Sequence, residues 1–213
     1  MNSEEATRKT SEICLLAPVI PVLVVNNIDH ARPLAEALIA GGLPALEVTL
    51  RTPVALDVIR IMSRVPGAIV GAGTLLTSQD VADAKQAGAQ FGVSPGVTDA
   101  LLTACESESL PLLPGAATAT EAMSLLAKGY NVLKFFPAEA NGGVPVLMSL
   151  AGPLPQVRFC PTGGITPENV ERYLELSNVL CVGGSWVAPQ AYMEAERWDD
   201  IQEMARCASE LGG

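Results

Sequence analysis

Eight short apolar segments recur along this 213-residue chain, and their even spacing constrains the fold more than any other feature. Successive segments, each rich in Val, Ile or Leu, start roughly 20–26 residues apart, which is the length of one strand, one helix and two short loops. The segments cover residues 19–25, 45–50, 68–73, 90–93, 110–113, 132–136, 157–160 and 179–182. This pattern predicts eight strand–helix units.

Helical patterns with recognisable start signals separate the apolar segments. Thr118 and Glu121 have capping-box spacing, and Asp29 and Ser78 stand before two other helical segments. A further helix, over residues 3–16, precedes the first strand. The other predicted helices cover residues 31–40, 54–64, 79–87, 122–128, 168–176 and 199–210.

Strands that are apolar on both faces and alternate with helices predict a parallel sheet covered by helices. Eight units of nearly equal length favour an α/β fold made of a single (β/α)8 TIM barrel with an extra N-terminal helix. The alternative is an open doubly wound sheet, but no G-x-G-x-x-G motif follows the first strand. No linker or low-complexity segment is present, so residues 1–213 are expected to form one barrel domain.

Charge and hydropathy exclude two classes of partner. The chain has 23 acidic and 13 basic residues, a formal net charge of −10, and no basic cluster to neutralise a nucleic acid backbone. The longest apolar run, residues 13–25, contains Pro18 and Pro21 and is too short to span a bilayer. The N-terminus lacks the pattern of a secretory signal. We therefore expect neither nucleic acid nor membrane as a partner.

Cysteine and histidine usage narrows the chemistry further. The five cysteines form no C-x-x-C pair and their number is odd, which argues against a disulfide framework and favours a cytoplasmic location. His30 is the single histidine, so a metal site that requires two imidazoles is excluded.

The most informative residues are charged side chains inside the predicted strands, because a barrel has its active site at the carboxyl ends of its strands. Lys134 lies within the apolar segment 132–136, and the period of two directs it to the barrel interior. The same period directs Glu47 and Arg51 inward from the second strand. Buried charges are rare unless they are paired or functional, so these three residues are candidates for the site.

Lys134 suits nucleophilic chemistry if it is uncharged. Desolvation lowers the pKa of a buried lysine, and the nearby cation of Arg51 would lower it further. A neutral amine is the nucleophile that forms a Schiff base with a ketone. The alternative is a structural lysine paired with Glu47.

Glycine loops follow the seventh and eighth apolar segments, the first with Gly163 and Gly164 and the second with residues 183–185. Barrels often bind phosphate with backbone N–H groups at these two loops, and glycine allows close approach to the anion. The sequence therefore predicts a phosphate site, with tight turns alone as the alternative. Thr74 follows another glycine-rich strand end, where its hydroxyl either donates to a carboxylate or bonds its own backbone.

Five motifs stand in order over about residues 18–187. They are Glu47-Val48-Thr49-Leu50-Arg51-Thr52, Gly71-Ala72-Gly73-Thr74, Lys134-Phe135-Phe136-Pro137-Ala138-Glu139, Phe159-Cys160-Pro161-Thr162-Gly163-Gly164-Ile165 and Gly183-Gly184-Ser185-Trp186. Their order and spacing resemble the 2-keto-3-deoxy-6-phosphogluconate (KDPG) aldolase and 4-hydroxy-2-oxoglutarate aldolase family. The resemblance implies a class I aldolase of the Entner–Doudoroff pathway, in a (β/α)8 barrel that forms a homotrimer and uses no metal or other cofactor. Its substrate would be a small phosphorylated 2-keto acid, with 4-hydroxy-2-oxoglutarate as a side substrate.

The resemblance also implies a role for each candidate. Lys134 would form the Schiff base and Glu47 would be the general acid/base. Arg51 and Thr74 would hold the pyruvyl carboxylate, and Thr162 would contact the substrate. The residues that would cradle the phosphate are Gly163, Gly164, Gly184 and Ser185.

Three other functions stay open at this point. The first is an aldolase for the galactonate epimer or for a non-phosphorylated 2-keto-3-deoxy acid. The second is a phosphometabolite-binding barrel without catalysis, which would need the glycine loops but not an interior Lys134. The third is a phosphosugar isomerase or epimerase, which needs acid/base groups but no Schiff-base lysine.

Overall fold

The structure is a computed structural model that describes residues 1–212. Gly213, the last residue of the predicted domain, lies outside the described residues. The strands are β1 (Val19–Leu23), β2 (Ala45–Thr49), β3 (Ile69–Gly73), β4 (Phe91–Val93), β5 (Leu112–Leu113), β6 (Gly115–Ala116), β7 (Val132–Phe135), β8 (Arg158–Pro161) and β9 (Val182–Gly184). The helices are α1 (Ser3–Cys14), α2 (Ala31–Ala40), α3 (Ala55–Met62), α4 (Ser78–Ala87), α5 (Asp99–Ser107), α6 (Ala119–Ala127), α7 (Gly143–Ala151), α8 (Val170–Leu174), α9 (Gln190–Glu194) and α10 (Trp198–Ser209).

The paired strands run parallel and form two sheets. The larger sheet is curled and has the order β5-β4-β3-β2-β1-β9, and the smaller has the order β6-β7-β8. The prediction of an α/β fold with parallel strands is therefore confirmed. The strand order does not reverse within the curled sheet, as it would in the doubly wound alternative.

Two predicted strands differ from the observed ones. The fifth segment, predicted over residues 110–113, contains only β5, and the short strand β6 follows it beyond Pro114, which has no N–H group to donate to a sheet. The eighth segment pairs with β1 only from Val182 onward, while Val179 makes an isolated bridge to Phe159.

The helix predictions also need correction. The structure contains α5, α7 and α9, which the sequence patterns did not reveal, and α1 ends at Cys14. Asp29 does not cap α2, because it lies inside a 3-10 turn and donates its backbone N–H to the side chain of Asn27. Thr77 rather than Ser78 caps α4. The capping box of Thr118 and Glu121 is confirmed at the start of α6.

Alternation along the strands creates two separate apolar clusters. Side chains such as Leu46 and Leu133 pack between the strands and the helices. Side chains from both sheets form a second cluster, the inner cluster, on the opposite strand face: Ile20, Ala45, Phe91, Val93, Leu113, Val132, Cys160 and Cys181, together with Cys14 of α1. Because Glu47 and Lys134 lie two residues beyond Ala45 and Val132, they share the face of the inner cluster. None of the helices in the described part of the chain has the length and hydropathy needed to cross a bilayer.

Candidate active site

A cavity of about 410 Å³ lies at the carboxyl ends of the strands, directly beyond the inner cluster. Residues from both sheets and from the loops that follow them contribute to its wall. The lining residues are Val22, Glu47, Thr49, Arg51, Thr74, Pro95, Lys134, Phe136, Thr162, Gly163, Gly164, Ile165, Gly183 and Ser185.

Lys134 and Glu47 form a buried ion pair at the base of this cavity. The Nζ atom of Lys134 lies 3.1 Å from Oε1 and 3.5 Å from Oε2 of Glu47, and the two residues are 6% and 3% exposed. The same Nζ atom lies 5.4 Å from the centroid of the Phe136 ring. Gly73 makes room for the pair, because a Cβ atom there would overlap the Glu47 carboxylate.

The contact with Glu47 bears on how Lys134 could act as a nucleophile. Desolvation and the cation of Arg51 are the causes that the sequence suggests for an uncharged Lys134, with pairing to Glu47 as the alternative, and the structure contains that pair. Taking both charges out of water costs several kcal/mol, and the attraction between them often does no more than offset that cost. A ligand bound in the cavity would therefore meet the lysine nitrogen and the carboxylate together.

Arg51 and Thr74 stand on neighbouring strand ends. Within residues 1–212, no carboxylate lies at ion-pair distance from Arg51, so its guanidinium is available to an anionic ligand. Thr74 has a φ of +64°, in the left-handed region that a β-branched residue rarely adopts. Backbone strain of this kind tends to occur at binding and catalytic sites.

The loop after β8 has the conformation that its glycines suggest. Gly163 and Gly164 have φ values of +101° and +79°, which other residues rarely adopt. In the described part of the chain, the backbone N–H groups of Gly164, Ile165 and Ser185 donate to no protein acceptor. These three donors are therefore available to an anion at this rim of the cavity.

Thr162 and Gly184 occupy different positions relative to the cavity. Thr162 is buried, lines the cavity and lies against Gly183, where a Cβ atom would overlap its hydroxyl. Gly184 lies within β9 and does not line the cavity, because the ring of Trp186 covers the place of its missing side chain.

Apart from Gly184, every site residue predicted from the sequence lines this one cavity. The sequence assigned no role to the lining residues Val22, Thr49, Phe136 and Ile165, whereas Gly183 lies in the predicted phosphate loop. Three of them are apolar, and nothing in a strand-rich sequence distinguishes an apolar cavity wall from an apolar core. Pro95, two residues beyond the end of β4, also lines the cavity. Across residues 1–212, no group of three or more His, Cys, Asp or Glu side chains is placed to hold a metal ion.

The sequence and the structure are both similar to known aldolases. The family profile described as "Aldolase: KDPG and KHG aldolase" matches residues 10–204. The KHG/KDPG aldolase of Escherichia coli strain K12 is 53% identical over 205 residues, which cover 95% of this chain and 96% of that protein.

Two solved structures extend the comparison to three dimensions. The KDPG aldolase of Zymomonas mobilis ZM4, solved with 3-phosphoglycerate, superposes with a TM-score of 0.92 at 50% identity and covers 96% of this chain and 97% of its own. The KDPG aldolase of Legionella pneumophila, with pyruvate captured as a covalent carbinolamine, has a TM-score of 0.91 at 47% identity, with coverage of 94% and 98%. The resemblance noted in the sequence is thereby confirmed: the chain belongs to the KDPG and KHG aldolase family.

Proposed function

We propose that this protein is a class I aldolase that cleaves KDPG to pyruvate and glyceraldehyde 3-phosphate, and that it also accepts 4-hydroxy-2-oxoglutarate. The observation that carries the proposal is the buried Lys134 amine, 3.1 Å from a carboxylate and facing a cavity at the carboxyl ends of the strands. The carbinolamine captured in the Legionella relative is the intermediate that such an amine forms with pyruvate.

The first half of the reaction builds an electron sink on the substrate. Glu47 takes the ammonium proton, and the free Nζ of Lys134 attacks the C2 carbonyl to give a carbinolamine. Protonation of the carbinolamine hydroxyl by Glu47 releases water and leaves an iminium ion. The positive nitrogen on C2 can then accept, through C2, the electron pair of the bond between C3 and C4.

The second half breaks the C3–C4 bond. Glu47, directly or through a water molecule, removes the C4 hydroxyl proton, and the bonding electrons flow to the iminium nitrogen as the aldehyde forms. Glyceraldehyde 3-phosphate leaves, and the enamine that remains on Lys134 takes a proton at C3. Hydrolysis of the resulting iminium releases pyruvate and restores the lysine.

The rest of the cavity fixes the two ends of the substrate. Arg51 suits the C1 carboxylate, because its planar fork binds both oxygens and no carboxylate within residues 1–212 pairs with it. Thr74 offers a hydroxyl to the same carboxylate, and Thr162 contacts the part of the substrate between its carboxylate and its phosphate. The loops of Gly163, Gly164 and residues 183–185 offer N–H donors to the phosphate, which positions C2 against Lys134 from a distance.

Borohydride trapping with pyruvate tests the proposal. Reduction of the iminium should attach the pyruvate carbons to Lys134 irreversibly, and peptide mass spectrometry should find the adduct on the peptide that contains this lysine. Lys128 lies six residues away on the surface and is the internal control for random modification. An adduct on Lys128 alone, or no adduct while KDPG is still cleaved, would contradict the mechanism.

The quaternary and topological features implied by the resemblance are also proposals. We propose that the two sheets close into one eight-stranded barrel domain, because β5 and β6 are separated by Pro114 alone and Thr162 forms a parallel bridge to Gly183. We propose a homotrimer in the cytoplasm on the family resemblance. Size-exclusion chromatography with light scattering tests the trimer, since a monomeric mass would contradict it.

A further inference from the structure

The loop that follows the catalytic lysine packs against the glycine loop that follows β8. The backbone N–H of Ala138 donates to the carbonyl of Thr162 at 2.8 Å, and that of Glu139 donates to the carbonyl of Gly163 at 3.1 Å. Two consecutive hydrogen bonds thus join the strand end that carries Lys134 to the proposed phosphate loop.

The Glu139 side chain packs directly against that loop. A Cβ atom at Gly164 would lie 2.7 Å from both Cβ and Cγ of Glu139, so the glutamate stem occupies the space that a side chain at position 164 would need. The Glu139 carboxylate accepts a hydrogen bond from the hydroxyl of Tyr173, a buried residue of α8. Burial and the neighbouring carboxylate raise the pKa of Tyr173, so its hydroxyl keeps its proton and donates throughout the neutral range.

A second contact holds the same glycine from the other side. Asn169 donates its amide N–H to the carbonyl of Gly164 at 3.0 Å and accepts the backbone N–H of Thr166 at 2.9 Å. Gly164 is therefore fixed through its carbonyl by Asn169 and through its Cα by Glu139, while its own N–H donates to no acceptor among residues 1–212.

We infer that Glu139 and Tyr173 are positioning residues that hold the Gly163–Gly164 turn in its anion-binding conformation and so set the affinity for the phosphate group. Neither side chain lines the cavity, so neither touches the reacting carbons. Tyr173 also ties the Glu139 carboxylate to α8, which keeps a negative charge from turning toward the bound phosphate. The inference rests on the proposed function, because it presumes that the glycine loop binds phosphate.

The test compares two substrates that differ in the phosphate. For Tyr173→Phe, the KM for KDPG should rise about tenfold, the effect of losing one hydrogen bond to a charged group, while kcat stays within about twofold. The KM for 4-hydroxy-2-oxoglutarate, which has no phosphate, should not change. Inorganic phosphate should inhibit KDPG cleavage less strongly in the variant than in the wild type. Its inhibition constant should rise by about the same factor as the KM.

The chain offers a matched control in Tyr130. This tyrosine is also buried, and its hydroxyl donates to the Glu106 carboxylate at 3.1 Å, but it precedes β7 at the amino ends of the strands. Tyr130→Phe therefore removes the same kind of bond at a comparable cost in stability. It should leave the KM of both substrates unchanged.

Variants of Glu139 keep the inference testable if Tyr173→Phe folds poorly. Glu139 is exposed, so Glu139→Ala should fold, and it should raise the KM for KDPG selectively. Glu139→Gln keeps the stem and an acceptor oxygen and should restore most of the affinity. The effects of Glu139→Ala and Tyr173→Phe on KM should not add when the two are combined, because both variants break the same hydrogen bond.

Two results would overturn the inference. One is an unchanged KM for KDPG in Tyr173→Phe and Glu139→Ala, and the other is an equal rise in KM for both substrates, which indicates a general loss of structure. Failure of the proposed function looks different, because the wild-type protein itself would then show no pyruvate trapping on Lys134 and no cleavage of KDPG.

Discussion

Two layers of side chains lie on the same face of the strands, and they differ by only two positions in each strand. The inner cluster, toward the amino ends, is apolar, and the layer beyond it carries the candidate chemistry. On β2 the step runs from Ala45 to Glu47, and on β7 it runs from Val132 to Lys134. On β8, Cys160 is followed two residues later by Thr162.

The difference teaches how one scaffold separates stability from function. Burying the apolar layer lowers the free energy of the folded state, at about 25 cal/mol for each Å² of apolar surface removed from water. Burying the ion pair of Glu47 and Lys134, two residues further along the strands, contributes little or nothing to the stability of the folded state. Substitutions in the apolar layer should therefore act on unfolding, and substitutions in the charged layer should act on turnover.

The largest expected effect is that of Lys134→Met. Loss of the nucleophile should reduce kcat for KDPG by about 10⁴-fold or more, since removing a covalent nucleophile has cost about 10⁶-fold elsewhere. Single-turnover assays measure the residual rate. Lys128→Met, on the surface, should keep wild-type turnover. A Lys134→Met protein with normal kcat would end the assignment of the charged layer to catalysis.

Glu47→Gln should have the next largest effect. The amide keeps the shape but accepts no proton, so kcat should fall about 10³-fold, within the range of general acid–base catalysis. Pyruvate trapping on Lys134 should remain detectable over long incubation, because attack on the ketone still occurs. An unchanged kcat would remove Glu47 from the proposed proton transfers.

Phe91→Ala addresses the apolar layer. The ring is buried in the inner cluster and lies over Gly71, so its removal should lower the free energy of unfolding by about 3 kcal/mol through lost contacts and a cavity. Urea denaturation measures the change. The folded variant should keep kcat within about twofold of wild type, and a large loss of kcat without destabilisation would contradict the separation of the layers.

The smallest expected effect is on stability and concerns the carboxylate that caps the start of α6. At the start of α6, the N–H groups of Ala117 and Thr118 lower the pKa of the Glu121 carboxyl below its ordinary value of 4.5. A lowered folded-state pKa contributes stability above the ordinary pKa, and this contribution is lost as the pH falls through the folded value. Glu121→Gln should therefore be less stable than wild type by about 0.5 kcal/mol at neutral pH, after allowance for solvent screening, and equal to it in strong acid.

Urea titrations at several pH values measure this difference. Glu108→Gln is the matched control, because Glu108 stands at the C-terminal end of α5, where a carboxylate gains nothing from the helix. A stability difference for Glu121→Gln that persists unchanged in acid would show that the charge of the capping residue is not its source.

The sequence predicts the chemistry of the site better than its surroundings. Lys134 and Glu47 are identifiable because a charge inside an apolar strand has few structural explanations, and the period of two gives its direction. Their pairing was open as an alternative, but the 3.1 Å contact joins β2 and β7 across two sheets, and no local pattern encodes that approach. The space at Gly73 that admits the carboxylate is likewise visible only in three dimensions.

The missed helices have local causes. No side chain caps α7, which begins at Gly143 with Gly142 before it and has Pro145 in its first turn, so it reads as a loop. Thr98 caps α5, but Pro95 and Gly96 shortly before it are turn residues that hide the start of the helix. The positioning contact between Glu139 and Tyr173 joins residues 34 apart and has no signature in the sequence.

The left-handed backbone of Thr74 has a consequence for engineering. A strained residue at φ +64° costs about 1–3 kcal/mol, which the rest of the fold must offset. Replacing it with glycine or asparagine would relax the turn and raise the melting temperature, but either change would also remove the Thr74 hydroxyl from the cavity. Selection for heat resistance alone would therefore tend to accept changes at this position that weaken turnover, and a screen for thermostable variants should assay both properties together.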